Sequence, residues 1–179
     1  MEPQTETLFD SELGDIARRE DEARATTGAR WFYWIAALSL LTSIISLVGG
    51  GWAFFVSLGV TQIIDGIANA LAARVGGSVK VIALAFDLFA AGIFALMGYF
   101  ASKRHAWAFV LGMALYVLDA LLLLGLAVLA GDFSFRTLIF LAFHAYVLWK
   151  IFDGYKASAR LAASGDNSSP SPPPVATPV

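Results

Sequence analysis

Five long apolar runs dominate this sequence, and each is close to the length that a helix needs to cross a bilayer. About 20 helical residues cover a hydrocarbon core of roughly 30 Å. Short breaks rich in glycine or charge separate the runs, and none of them is long enough to form a domain. The chain is therefore predicted to be an all-α, polytopic membrane helix bundle. Its five transmembrane helices are predicted at 31–48, 52–74, 79–101, 106–130 and 135–153.

A second arrangement of the same runs stays open. The first run is the shortest, and Gly49, Gly50 and Gly51 separate it from the second. A re-entrant pair hinged at these glycines, beside four spans, is therefore an alternative. Five spans are favoured, because the first two runs together contain enough residues for two full crossings.

The composition supports lipid as the solvent and excludes several classes of protein. Of the 179 residues 58% are apolar and 15% charged, whereas soluble domains are about half apolar and a quarter charged. A soluble domain of this size cannot bury such an excess. Twelve Lys and Arg against 14 Asp and Glu leave no basic face for a nucleic acid. The absence of cysteine removes disulfides, thiolate metal sites and thiol nucleophiles.

The two ends of the chain are polar. Residues 1–30 form an acidic head, predicted to be either a solvated segment or a short surface helix over 8–24. Residues 31–157 form the bundle, and 158–179 are predicted to be a disordered tail, because five of the six prolines follow Gly165.

All five tryptophans lie near a predicted span end, where amphipathic rings meet water. They are Trp31, Trp34, Trp52, Trp107 and Trp149.

The orientation in the membrane is predicted from charge. Five spans place the head on the same side as the breaks at 75–79 and 131–134, and basic residues favour that side only by seven to five. A cytoplasmic N-terminus is expected, because a polar head without a signal peptide is hard to translocate.

Four of the runs each carry one ionisable residue in an otherwise apolar stretch. Ionisable side chains are expensive in lipid and normally face protein or a water-filled cavity. Counting at 1.5 Å per residue from the nearest break puts each of them roughly 14–15 Å below a membrane surface. A polar layer near the middle of the bilayer is predicted. Its members are Asp65, Asp87, Asp119 and His144.

Neighbouring polar residues extend this layer. Thr61, Asp65 and Asn69 recur every four residues and so share a face of the second run. Tyr116 lies one turn from Asp119, a spacing that allows its hydroxyl to reach the carboxyl. The first run carries a stripe of small residues suited to close helix contact, namely Ser39, Thr42, Ser43, Ser46 and Gly50.

The layer has three interpretations. It is structural glue between helices, a proton relay or cation site, or a face that binds another subunit or lipid. No complete catalytic motif is present, and no catalytic residue, metal or cofactor is predicted. The favoured function is a non-enzymatic scaffold or accessory subunit, with lipid and other membrane subunits or a second copy as partners. The alternative is a small proton- or cation-coupled transporter or channel; a lipid-modifying enzyme has no specific support.

Three stretches resemble a group of small bacterial multi-span membrane proteins that have no assigned activity. They are WFYWIAALSL at 31–40, WAFVLGMALYVLDALLLL at 107–124 and AFHAYVLWKIFDGYKA at 142–157. The resemblance covers about residues 31–157 and omits both tails. It implies a bacterial inner-membrane location and carries over no functional residue.

Overall fold

The computed structural model describes residues 3–48, 78–131 and 134–166, which form four helices and, within those ranges, no strand. Helix α1 covers Pro3–Val48, α2 covers Ser78–Ser102, α3 covers Ala106–Ala130 and α4 covers Phe135–Asp166. All four are long and apolar enough to cross a membrane. The predicted all-α membrane bundle is confirmed at this level. The predicted second span, 52–74, lies outside the described residues.

The sequence breaks mark the ends of α2 and α3 well. The C-terminal end of α2 is joined to the N-terminal end of α3 by a turn at 103–105, in which Arg104 takes a left-handed conformation with φ of 64°. Helix α3 ends at Gly131, whose φ of 62° is unfavourable for residues with a Cβ atom. The backbone N–H at this cap lies against the carbonyl oxygens of Ala127 and Val128, which a helix end otherwise leaves without a partner.

Helices α1 and α4 are longer than their predicted spans. The described part of the head is helical and continuous with the first span, and residues 158–166 of the predicted tail belong to α4. Charges four residues apart support the helix through the head, because Arg18 approaches Glu22 at 3.5 Å and Arg24 approaches Glu20 at 3.6 Å. The mixed charge that suggests a solvated segment therefore fits a solvated helix equally well.

The four described helices form a ring in which neighbours run antiparallel, and α1 and α3 each pack against both α2 and α4. In every neighbouring pair, residues that come later in one helix contact residues that come earlier in the other. The contacts that show this are Glu22–Arg104 and Phe32–Phe94 for α1 with α2, Phe94–Tyr116 and Phe100–Trp107 for α2 with α3, Phe109–Tyr155 and Tyr116–His144 for α3 with α4, and Arg24–Asp153 and Trp31–Phe143 for α1 with α4.

This pairing corrects part of the predicted arrangement. Five spans would place Val48 and Ser78 on opposite sides of the membrane, and the head beside the breaks at 75–79 and 131–134. In the structure Val48 and Ser78 lie at the same end of the bundle, together with Gly131. The head lies at the opposite end, with the 103–105 turn. The predicted grouping was wrong because hydropathy counts apolar runs but does not show which helices pair.

Phe32 fills the centre of the bundle. Its ring is fully buried between Phe94 of α2 and Phe109 of α3, at centroid distances of 6.5 and 6.2 Å. Gly98 and Gly112 make room for it, because a Cβ atom on either residue would press against Phe32. Lipid tails are as apolar as the core, so close packing of this kind, rather than removal from water, holds the helices together.

At one end of this core, residues 3–30 of α1 and 154–166 of α4 form an antiparallel pair, called here the stalk, and residues 3–21 of α1 extend past the 103–105 turn, which lies at the level of Glu22. The two backbones cross at Gly28 and Gly154, where a Cβ atom on either glycine would lie 2.7 Å from the Cα atom of the other. Ala25, Ala157 and Leu161 form a separate apolar cluster beyond the crossing. Only glycine allows the two helices to approach so closely at that point.

Aromatic side chains mark the water boundary at the base of the stalk. Trp31, Trp34, Trp107 and Trp149 all lie toward this end of the bundle, and the ammonium group of Lys150 sits 4.7 Å from the centre of the Trp149 ring. The 46 residues of α1 measure about 69 Å, more than twice the roughly 30 Å of hydrocarbon. The stalk therefore extends into water.

Replacement of Gly28 by alanine tests the helix crossing. The added Cβ atom meets backbone rather than a side chain that can move, so we expect the variant to lose about 1–3 kcal/mol of stability against thermal unfolding in detergent, followed by circular dichroism. Gly14→Ala is the matched control on the same helix, since nothing lies within 4 Å of its added Cβ. Alanine is expected to stabilise that position by about 0.5–1 kcal/mol. Equal effects at the two sites would contradict the crossing.

Candidate functional site

Three residues of the predicted polar layer meet between α3 and α4. Tyr116 and Asp119 of α3 and His144 of α4 are all buried. Nε2 of His144 lies 3.3 Å from Oδ2 of Asp119, and the Tyr116 ring stacks on the imidazole with centroids 4.8 Å apart and planes 12° from parallel. Asp119 lies 12 residues from both Trp107 and Gly131, about 18 Å from each. The group therefore lies near the middle of the bilayer.

A backbone contact fixes the tautomer of His144. Its Nδ1 lies 2.9 Å from the carbonyl oxygen of Phe140, which can only accept, so Nδ1 carries a hydrogen and donates it. Nε2 consequently faces the carboxyl of Asp119. Two lone pairs repel, so a proton lies between these atoms, either on the carboxyl or on the imidazole. Both forms of the pair have zero net charge, which is the state that hydrocarbon tolerates best.

A second buried polar group lies between α1 and α2. Asp87 and Ser39 are fully buried, and Ser43 is nearly so and donates its hydroxyl to the Ser39 carbonyl oxygen at 3.1 Å. The Phe32–Phe94 contact sets the register of the two helices. Seven residues further along each antiparallel helix, Ser39 and Asp87 lie at the same level. Of the predicted small stripe of α1, Ser39 and Ser43 are therefore covered in the structure.

The structure brings Asp87, Asp119 and His144 into one layer of the bundle interior. By the Phe94–Tyr116 contact, Asp87 lies about one helical turn, roughly 6 Å, further from the stalk than Asp119. The remaining predicted members of the layer, Thr61, Asp65 and Asn69, lie outside the described residues.

An apolar groove separates α2 from α3 beside this layer. Its volume is about 190 Å³, and among the described residues that line it Asp119 alone is ionisable. Asp119 thus lies between the imidazole of His144 and the groove. A cavity with so apolar a lining holds hydrocarbon rather than a chain of water molecules. The lining residues are Ala90, Ile93, Phe94, Leu115, Leu118, Asp119 and Leu122.

An ion pair at the stalk was missed by the sequence analysis. The guanidinium group of Arg160 holds Asp21 with two contacts; Nε donates to Oδ2 at 2.9 Å, and the second nitrogen donates to Oδ1. This hydrogen bond, with the positive charge behind it, lowers the pKa of Asp21. No sequence pattern indicates this pair, since 139 residues separate the partners and Arg160 belongs to the predicted tail.

The glycine crossing was missed as well, although it left a weak trace in the sequence. Gly28 stands between charged residues and the first tryptophan, and Gly154 follows the last tryptophan by five residues. Glycine destabilises an isolated helix, so a glycine at each water boundary indicates that another helix backbone approaches closely there.

Comparisons with protein-family models, with curated proteins and with solved structures give no match to this chain.

Two replacements of Asp119 test the shared proton. The amide of Asp119→Asn can donate to Nε2 of His144, so this variant is expected to unfold within about 1 kcal/mol of the parent. Asp119→Leu leaves the buried Nε2 without that partner and is expected to lose about 1–3 kcal/mol. Thermal unfolding in detergent measures both.

Asp153→Leu is the matched control outside the bilayer centre, because it removes a weak contact with Arg24 at 3.9 Å, worth less than about 1 kcal/mol. If Asp119→Asn proved as unstable as Asp119→Leu, the hydrogen bond to Nε2 would not be what the position requires.

Proposed function

We propose that this chain is a non-enzymatic integral membrane protein of the bacterial inner membrane, which holds a partner protein at the membrane surface as a scaffold or accessory subunit. In this proposal the four described helices cross the bilayer, with residues 3 and 166 on the same side. The observation that carries the proposal is the stalk. It projects from the membrane body as a continuation of two spanning helices.

The stalk is built as a rigid extension. Helices α1 and α4 continue from lipid into water without a break, and the Gly28–Gly154 crossing and the Asp21–Arg160 pair join them there. The Glu22–Arg104 contact places the α2–α3 turn at the level of residue 22. Some 19 residues of α1, about 28 Å, therefore project beyond that turn. Such a projection serves the presentation of a surface and has no use in moving an ion across lipid.

The distribution of basic residues supports a cytoplasmic stalk. Of the eleven Lys and Arg residues in the described ranges, nine lie toward the stalk end, and Lys80 and Arg136 lie toward the other. Cytoplasmic segments next to spanning helices carry such an excess. The nine are Arg18, Arg19, Arg24, Arg30, Lys103, Arg104, Lys150, Lys156 and Arg160.

Site-specific photo-crosslinking in native membranes tests the proposal. A photoreactive amino acid at the exposed stalk position Ala17 is expected to give one protein adduct of defined mass, which co-purifies with the chain in a fixed ratio. The same amino acid at Leu118, on the exposed surface of α3, is the control and is expected to give lipid adducts only. A stalk position that yields no protein adduct, with a chain that purifies alone, would contradict a scaffold role.

A proton-coupled transporter is the second candidate, and the proton shared by Asp119 and His144 favours it. The apolar groove beside Asp119 argues for the scaffold instead, since a relay needs a water-filled path. Purified protein in liposomes with a pH-sensitive dye inside decides between them. We expect no flux above empty liposomes. Proton flux in the parent that is lost in the well-folded Asp119→Asn variant would replace the scaffold by the transporter.

A further inference from the structure

An unpartnered apolar stripe runs along the projecting part of α1. Phe9, Leu13 and Ile16 are 62%, 49% and 54% exposed. Their spacing of four and three residues places all three within an arc of about 60° on one face of the helix. We call these three residues the stalk stripe. Large apolar side chains that line one helix face in water mark a site where a partner packs.

Within the described chain, α4 does not cover this stripe. The face of α1 that meets α4 carries Asp21, Ala25 and Gly28, and lies about 120° around the helix from the stripe. The Asp21–Arg160 pair also sets the register, which brings Asp166 at the end of α4 opposite about residue 15. The stripe therefore points away from its neighbour, and most of it lies beyond that neighbour's described end.

Lipid does not cover the stripe either. The 103–105 turn lies at the level of Glu22, and the stripe begins about 9 Å and ends about 20 Å beyond it, on the water side. The surrounding sequence is acidic on balance, since residues 3–19 contain Glu6, Asp10, Glu12 and Asp15 against Arg18 and Arg19. The cytoplasmic leaflet is itself anionic and repels such a segment.

The negative charge beside the stalk stripe also indicates what kind of helix packs on it. Glu12 and Asp15 are exposed and lie to one side of the stripe, about 60° and 120° from its centre. A second copy of this stalk would bring like charges together, which costs affinity. A helix with an apolar face bordered by Lys and Arg would satisfy both the stripe and the carboxylates.

We propose that the stalk stripe docks a basic amphipathic helix of the partner protein. Its apolar residues pack on Phe9, Leu13 and Ile16, and its basic residues pair with Glu12 and Asp15. The assignment rests on the proposed scaffold function and specifies the partner's chemistry at the stalk.

A designed peptide serves as the probe. It is an 18-residue helix with leucines on one face and arginines on its borders, labelled with a fluorophore, and its scrambled sequence keeps the charge but has no apolar face. Both are titrated against the full chain in phosphatidylcholine nanodiscs, followed by fluorescence anisotropy. The amphipathic peptide is expected to bind at least about tenfold more tightly than the scrambled one, and more weakly as salt is added.

Two variants locate the binding surface. Leu13→Gln interrupts the stripe and is expected to weaken binding by about tenfold or more. Ser11→Gln lies about 160° around the helix from the stripe and is expected to leave binding within about twofold. Equal binding of the two peptides, or unchanged binding by Leu13→Gln, overturns the docking surface. So does dimerisation of the full chain that Leu13→Gln abolishes, because a second copy is then the occupant.

The crosslinking experiment separates this inference from the function on which it rests. If the Ala17 adduct persists unchanged when Leu13 is glutamine, the scaffold function stands and the stripe is not its docking site. If neither parent nor variant yields a stalk adduct, the scaffold function itself fails.

Discussion

Hydrocarbon offers no partner to a charged or polar side chain, and that constraint shapes the whole membrane body. Three of the described helices carry an ionisable residue near mid-depth, and each can be sheltered only by another helix. The pair formed by Asp119 and His144 meets the constraint by sharing one proton at zero net charge. Asp87 meets it by burial at the level of Ser39 on α1. A ring of antiparallel helices places all of these groups inside, and it leaves leucine and phenylalanine to face lipid.

The stalk follows from the same ring. Because α1 and α4 are antiparallel neighbours, the polar ends of both leave the bilayer on the same side and stay in contact there. The Gly28–Gly154 crossing and the Asp21–Arg160 pair then keep α1 and α4 together in the stalk, as side-chain packing keeps the helices together in the membrane body. A membrane body whose described cavity is apolar, joined to a rigid acidic projection, is better suited to anchoring and presenting a surface than to conducting ions.

Much of this architecture could be predicted from the sequence, and the part that could not has one cause. The bounds of α3 were predicted as observed, and those of α2 to within one residue, because glycine and charge end an apolar run abruptly. Counting the rise of the helix placed Asp87, Asp119 and His144 at similar depths, and in the structure Asp87 lies about one helical turn from Asp119. Helix pairing did not follow, since hydropathy is a property of single runs. The direction of α1 against α2, the glycine crossing and the partner of Arg160 all depend on pairing.

The central claim is that the described helices alternate in direction, so that both helices of the stalk leave the membrane on one side. The sequence has no cysteine, so single-cysteine variants give a clean test with a membrane-impermeant maleimide on sealed vesicles of known orientation. Ser11, Ser164 and Ser134 are all exposed positions suited to the replacement. The account predicts that cysteines at 11 and 164 are labelled from the same side and a cysteine at 134 from the other. Labelling of 11 and 164 from opposite sides would contradict it.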